Sequence, residues 1–471
     1  MTDASAAHAA TASLTAPHFI GIGGAGMSGL AKILALRGAQ VSGSDAKEST
    51  VVLALRQLGA DVHVGHAAEH VPAGASAIVV SSAIREDNPE IAEARRRGLP
   101  IVHRSDALAA LMRDRRALAV AGTHGKTTTT SMLAVSLTSL GLDPSFAIGG
   151  DLNEPGSNAH HGTGEIFVAE ADESDRSFQK YTPEVAIVLN VELDHHANYA
   201  SMDEIFESFE AFADRIVPGG ALVVDTDHAG AAELASRVSG RGFDIVTVGE
   251  SEGADFRILR IAPRGMTSEV TVALPAGEQL TFTVNVPGRH YAHNAVAALA
   301  AGVRLGVPAA ELAPALSSYQ GVRRRLQLKG DAAGVQVIDS YAHHPTEIAA
   351  DLQAIREAAG EGRVVVVFQP HLFSRTRELG LEMGEALSLA DQVVVLDIYP
   401  AREDPIPGIT SEIVIEAARA KGADVQGAHS LAAVPDLVAG MAKAGDLVLT
   451  MGAGDVTFLG PEILSRLDTL A

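Results

Sequence analysis

Two glycine-rich segments of this chain could cradle phosphate, and acids and histidines gather after several other apolar runs. Gly122-Thr123-His124-Gly125-Lys126-Thr127-Thr128 lies between an apolar run and a helical one. Its spacing departs from G-x-x-x-x-G-K-[ST], because Val120 stands at the first glycine position. The chemistry survives that departure. Gly122 and Gly125 free the backbone to approach phosphate, Lys126 can reach β and γ oxygens, and the Thr127 hydroxyl can ligate Mg2+. ATP chemistry needs Mg2+, which prefers oxygen ligands. Acids follow the next two runs: Glu170, Asp172, Glu173 and Asp175, then Glu192 and Asp194 with His195 and His196. A solvated face is the usual role of such acids; their position at strand ends beside a phosphate loop points to metal binding. Of the 18 histidines, eight fall in such junctions or loops: His124, His195, His196, His290, His293, His343, His344 and His371.

The other segment, Gly21-Ile22-Gly23-Gly24-Ala25-Gly26, fits G-x-G-x-x-G, with Asp45 at the end of the next run where a ribose-binding acid is expected. These residues ask for a dinucleotide-like ligand and no more. An NAD-dependent dehydrogenase and a UDP-sugar site have the same local needs. His66-Ala67-Ala68-Glu69-His70 matches the H-x-x-E-H zinc pattern, but the stretch before Val71-Pro72 is too short for the long helix that pattern needs, and a surface segment is expected.

The elements that must position these residues read as alternating short β-branched runs and Ala/Leu-rich helices, the signature of parallel α/β sheets. Strands are expected at His18–Ile22, Ala77–Val80, Ala117–Val120, Ile166–Ala169, Val185–Leu189, Val364–Phe368, Val393–Leu396 and Leu447–Thr450. Ligands of open α/β sheets bind outside the carboxyl ends of strands, so strands that repeatedly end in Gly, Asp or His imply several sites. A small β insertion is expected at Phe256–Ile261, Glu269–Ala273 and Leu280–Val286. The length of 471 residues suggests about three domains. Boundaries near Leu108–Arg116 and Gly321–Arg325 divide the chain into a tail at 1–17 and domains at 18–110, 111–322 and 323–471.

Composition narrows the class. Apolar residues are 47% and charged residues 20%, as in a globular protein. Lys plus Arg is 36 and Asp plus Glu 58, a net charge of −22, which argues against nucleic acid as partner. There is no cysteine, so no thiolate nucleophile, disulfide or zinc–thiolate site. The first 17 residues lack a basic start and a long apolar run, no stretch approaches the ~20 apolar residues of a membrane span, and a cytoplasmic monomer or homodimer is expected.

Taken together, these residues resemble the Mur ligase family. The resemblance rests on HFIGIGGAGMSGLA near the start, SSAI at Ser81–Ile84, GTHGKTTTT at Gly122–Thr130 and EADESD at Glu170–Asp175. It continues through LDHH at Leu193–His196, PGRH at Pro287–His290, GVRRR at Gly321–Arg325, DSYAHHPTE at Asp339–Glu347, FQPHLFSRT at Phe368–Thr376 and MGAGD at Met451–Asp455. It implies three α/β domains: a Rossmann-like UDP-binding domain, a central P-loop ATPase-like domain and a C-terminal Rossmann-like domain. It further implies ATP-dependent addition of L-alanine to the lactyl carboxylate of UDP-N-acetylmuramate through an acyl phosphate. A sister activity that adds a recycled tripeptide to the same sugar nucleotide is the alternative. From other classes, a dehydrogenase would leave the second loop idle, and a P-loop switch or binding module would explain Lys126 but give no role to the two later sites.

By the same resemblance, Gly21, Gly23, Gly24, Ala25, Gly26, Asp45, Ser81 and Ser82 would hold the UDP-sugar. Gly122, Thr123, His124, Gly125, Lys126, Thr127 and Thr128 would bind ATP, with His290 and Asn294 at adenine. Thr127, Glu170 and His195 would surround Mg2+, and Tyr341, His371 and Arg375 would face the amino acid. Lys126, His195, Arg375 and His344 are the catalytic candidates, with the base that deprotonates alanine open among His195, His196 and His344. The chain departs from the family pattern at Tyr291, Ser340 and Leu372, where Asn, Asp and Arg are usual.

Overall fold

The computed structural model describes residues 13–150, 152, 158–194, 198–401 and 403–470. His195 and His196, and most of the expected tail, therefore lie outside the described residues. By its internal contacts the chain divides into two compact units. One comprises Met1–Leu259, Thr271–Phe282 and His293–Tyr319; the other comprises Arg260–Val270, Thr283–Ala292 and Gln320–Ala471.

The first unit holds a five-stranded sheet made of β1 (Pro17–Ile20), β2 (Ser42–Asp45), β3 (Asp61–Val64), β4 (Ala77–Val80) and β5 (Ile101–His103). Their order is β3-β2-β1-β4-β5, and every neighbouring pair is parallel. The chain leaves β1 for β2 on one side and later returns to β4 on the other, so the switch point lies at the carboxyl end of β1. That is where Gly21–Gly26 sits, as ligand sites of such sheets do.

The same unit contains β6 (Arg116–Ala121), β7 (Ser145–Ala147), β8 (Ala159–His160), β9 (Ile166–Glu170), β10 (Val185–Val188), β11 (Ala221–Asp225) and β12 (Asp244–Gly249). They run β12-β11-β10-β6-β9-β7-β8, parallel except for β7 with β8. β6 is flanked by β10 and β9, which makes its carboxyl end a second switch point, and Gly122 follows it. The apolar runs Leu118–Ala121 and Val185–Val188 are fully buried, as strands covered on both faces must be. Val248 of β12 pairs with Phe256, the first residue of β13 (Phe256–Arg264). β14 (Thr267–Ala273) and β15 (Gln279–Val284) complete the expected insertion, whose strands are shared between the two units.

Helix Lys126–Ser139 opens with four threonines, poor helix formers because branching at Cβ restricts χ1. It buries them all. Thr130 and Ser131 return their hydroxyls to the carbonyls of Lys126 and Thr127, at 2.8 and 2.6 Å, which satisfies buried polar atoms within the helix.

The second unit carries a six-stranded sheet of β16 (Gln327–Ala332), β17 (Val335–Ser340), β18 (Val364–Phe368), β19 (Gln392–Leu396), β20 (Asp424–Ala428) and β21 (Leu447–Met451). The order is β16-β17-β21-β18-β19-β20, with only β16 antiparallel to its neighbour. Its own core gathers Val337, Val365, Val367, Val394, Val448 and Ile463.

Candidate active site

The phosphate loop is built on the end of β6. Gly125 takes φ +85, a conformation that costs a residue with a side chain about 1–2 kcal/mol. A Cβ there would also lie 2.9 Å from Asn294 Oδ1 and from Leu189 Cδ1. Asn294, expected at adenine, thus lies directly against the loop. The loop is pinned from β10: the His124 amide donates to Asn190 Oδ1 at 2.7 Å, and Asn190 Nδ2 donates back to the His124 carbonyl at 3.1 Å. Thr123 Oγ1 accepts from the Glu192 amide at 2.9 Å. Asn190 carries no chemistry of its own and was not singled out by its sequence context; its neighbours in the expected acidic cluster were.

Lys126 turns its ammonium back over the loop. Nζ donates to the carbonyls of Gly122 (2.6 Å) and Thr123 (3.0 Å) and pairs with Glu173, whose Oε2 is 2.8 Å away. Burial opposes its charge, yet Glu173, and then Asp172, outweigh that and raise its pKa above the ordinary lysine value. The ammonium is thereby kept charged. Thr127 Oγ1 donates to Glu170 Oε1 at 3.1 Å, and the Gly149 amide donates to Glu170 Oε2 at 2.7 Å. Burial pushes the Glu170 carboxyl above its ordinary range, against the pull of Lys126. A hydroxyl and a carboxylate one hydrogen bond apart, in a pocket where the carboxylate lacks enough positive charge, suit a hard divalent cation. Of the expected metal residues, Thr127 and Glu170 come together; His195 lies outside the described residues.

A second cluster lies at the ends of β11 and β12. His293 bridges Asp225 Oδ2 (2.8 Å) and Glu250 Oε1 (3.2 Å), with Asp227 close by. Burial works against the imidazolium, but its bond to Asp225, with the nearby Glu250 and Asp227, overcomes that and raises the His293 pKa. His293 was among the grouped histidines, but its acidic partners come from two strands that gave no motif.

The glycine loop after β1 is held by β2. Gly21 and Ile22 amides both donate to the Ser44 carbonyl, at 2.8 and 2.9 Å, and the Gly23 amide donates to Asp45 Oδ2 at 2.8 Å. Asp45 is therefore engaged with the loop's own backbone. Ile84, of the SSAI segment, packs on Gly21, where a Cβ would be 3.1 Å from its Cδ1. Ser82 Oγ donates to Asp175 Oδ2 at 2.7 Å and lies 3.3 Å from His103 Nε2. Gly24 and Ala25 open the helix Ala25–Leu36. Arg104, which no motif marks, donates through Nη2 to Asp172 Oδ2 at 2.9 Å. The H-x-x-E-H segment resolves differently. His66 and His70 turn to buried Glu90, at 3.7 and 3.6 Å, which also accepts from Ser44 Oγ at 2.7 Å. They are not among the groups of described residues whose ligand atoms converge closely enough to share an ion.

In the second unit, a row of rings lines the sheet's carboxyl edge. Tyr341 meets His343 edge-on at 5.3 Å, His343 meets His371 at 5.8 Å, and His371 stacks on Tyr399 at 5.8 Å. Arg324 and Arg325 lie over the Tyr341 ring at 4.8 and 5.5 Å. The basic run expected to mark a boundary is therefore also part of this cluster. Burial drives the His343 pKa down to about 4, despite Glu347, and Arg375 adds to the depression. His343 is neutral at physiological pH. His344 instead caps the helix Pro345–Ala359, its Nδ1 accepting from the Thr346 amide at 3.4 Å. A neutral ring that accepts at Nδ1 carries its proton on Nε2, so action as a base would require it to release the cap. His290 pairs with Asp351 at 3.4 Å. Ser340, where Asp is usual, donates to the same Asp351 and accepts from the Ala342 amide at 3.0 Å. Leu372 heads the helix that carries Arg375 with φ +71, a conformation rarely adopted by a leucine. Nothing in the surroundings explains why leucine stands there.

Three stretches match known family descriptions: residues 17–116 match "Mur ligase family, catalytic domain", 120–302 "Mur ligase middle domain" and 324–454 "Mur ligase, glutamate ligase domain". A UDP-N-acetylmuramate–L-alanine ligase of Streptomyces coelicolor is 74% identical over 96% of this chain and 97% of its own length. One from Saccharopolyspora erythraea is 53% identical over 97% and 94%. Among solved structures, the UDP-N-acetylmuramate–alanine ligase of Thermotoga maritima superposes with a TM-score of 0.81 at 29% identity, covering 97% of this chain and all (100%) of that one. A murein peptide ligase of Psychrobacter arcticus gives 0.69 at 26%, over 97% and 99%.

Proposed function

The chain belongs to the Mur ligase family, and from that premise we propose how its residues divide the family's reaction. It is an ATP-dependent ligase that joins L-alanine to the lactyl carboxylate of UDP-N-acetylmuramate through an acyl phosphate, in peptidoglycan precursor synthesis. The observation that carries this reading is near-full-length identity to alanine-adding ligases, joined to a buried lysine in a carboxylate-lined phosphate loop. The tripeptide-adding alternative is disfavoured by the same relatives.

Residues 18–110 take the sugar nucleotide on Gly21–Gly26, residues 111–322 take ATP on Gly122–Thr128, and residues 323–471 take the amino acid near Tyr341, His371 and Arg375. Thr127 and Glu170 would hold Mg2+, which would screen phosphate charge. Lys126 leaves Glu173 for the γ-phosphate, where charge gathers as the lactyl carboxylate attacks and ADP departs. The alanine amine then attacks the acyl carbon, and phosphate leaves. Arg375 offers a planar fork to the alanine carboxylate. No helix among the described residues is long and apolar enough to cross a membrane, and substrates of this kind place the reaction in the cytoplasm.

The test is phosphate release from ATP with UDP-N-acetylmuramate, supplied in turn with L-alanine, glycine, L-serine, tripeptide or no acceptor. Turnover should be fastest with L-alanine. Release that depends on tripeptide and ignores L-alanine would replace this reading with the sister activity.

A further inference from the structure

The two nucleotide loops differ in one respect that the proposed division of ligands leaves unexplained. The loop given to ATP contains Lys126; the loop given to the sugar nucleotide, Gly-Ile-Gly-Gly-Ala-Gly, contains no cation. A sugar-nucleotide diphosphate carries two negative charges, and backbone amides supply dipoles but no counter-charge.

Arg104 stands where that charge is missing. It is the first residue of the helix Arg104–Met112, immediately after β5. A Cβ built on Gly26 would lie 2.9 Å from its Nη1, so the guanidinium rests against the last glycine of the loop. Nη2 donates to Asp172 Oδ2 at 2.9 Å, and among the described residues Nη1 and Nε donate to nothing. The side chain keeps 23% of its exposure, enough for a ligand to reach it. A guanidinium has five donors in a rigid fork that fits phosphate oxygens, and here one edge is pinned while the other faces the loop.

We propose that Arg104 is the cation that binds the diphosphate on the glycine loop, and that Asp172 is the positioning residue that aims it. This rests on the reading that Gly21–Gly26 holds the sugar nucleotide. Asp172 is also one of the acids whose field acts on Lys126, so one carboxylate faces the cation of each loop.

Calorimetric titration of the full chain with UDP and with uridine separates the diphosphate from the rest of the ligand. The wild type should bind UDP much more tightly than uridine. Arg104→Gln should reduce that ratio by about tenfold or more, the scale of a charge-assisted hydrogen bond, with uridine affinity unchanged. Arg104→Lys should restore part of it. Gly26→Ala, whose methyl would displace the guanidinium tip, should reduce it several-fold with no change of charge. If Arg104→Gln keeps the full ratio, or loses UDP and uridine equally, Arg104 does not bind the diphosphate, though the loop assignment stands. If the wild type shows no preference for UDP over uridine, the loop assignment itself falls and takes Arg104 with it.

Discussion

Two loops in one compact unit follow the same plan, a strand at a switch point, glycines, then a helix, yet they handle charge in opposite ways. At Gly122–Lys126 the loop is crowded by carboxylates: Glu173 grips Lys126, and Glu170 lies on Thr127. At Gly21–Gly26 the loop is held by backbone and by Asp45, with Arg104 reaching in from another helix. On the proposed assignment, the first would manage a phosphoryl group whose charge changes during reaction, and the second would hold a diphosphate that stays as it is. Electrostatic strength would be placed where charge develops, and backbone amides with one cation from outside the loop would serve where it does not.

The largest break in that contrast should come from Lys126→Ala. Removing a principal charge stabiliser of phosphoryl transfer should cost ~10³-fold or more in turnover, while UDP-N-acetylmuramate affinity holds. Comparable turnover by a folded variant, judged by circular dichroism, would mean that Lys126 serves the loop's own carbonyls and not the nucleotide.

A smaller, reciprocal effect is expected from the glycines with left-handed backbone. Gly125→Ala forces φ +85 on alanine and presses on Asn294. Gly21→Ala forces φ +76 and presses on Ile84. A penalty of about 1–2 kcal/mol for the backbone alone corresponds to roughly 5- to 30-fold. It should appear in the KM for ATP with Gly125→Ala and in the KM for the sugar nucleotide with Gly21→Ala. Crossed effects, each variant damaging the other substrate, would show that the ligands were assigned to the wrong loops.

The sequence made both loops readable because their residues are contiguous and their chemistry follows from backbone freedom plus one lysine. Strand positions were equally readable: Ala77–Val80 and Val364–Phe368 stand as expected, and others differ by one to three residues at their ends. Partners brought together by folding were not readable. One acid closes β9 and three follow it, and nothing in EADESD says that Glu173 takes Lys126, that Glu170 takes Thr127, or that Asp172 is left for Arg104. Glu90 looks like an ordinary helix-start acid until β1, β2 and the His66–His70 segment converge on it. Arg324 and Arg325 read as a charge run, because their stacking on Tyr341 depends on where β17 ends. Periodicity reports which face is buried; it does not report which charged group waits there.

The smallest expected effect concerns protons at the crowded loop. Burial raises the Glu170 pKa, so in the folded protein a proton competes for this carboxyl at a higher pH than for an ordinary glutamate. Metal ligands must be deprotonated to bind, and the sign follows: as pH falls, more Mg2+ should be needed for half-maximal turnover, and the rise should begin at a higher pH than an ordinary glutamate would give. Glu170→Gln has no proton to compete and should require more Mg2+ at every pH, with a flatter dependence. The glycine loop supplies the internal control. Its amides do not titrate as pH falls, so the KM for the sugar nucleotide should move less than the Mg2+ requirement. An equal shift in both would place the titrating group outside the Thr127–Glu170 pair, and the contrast between the two loops would lose its electrostatic basis.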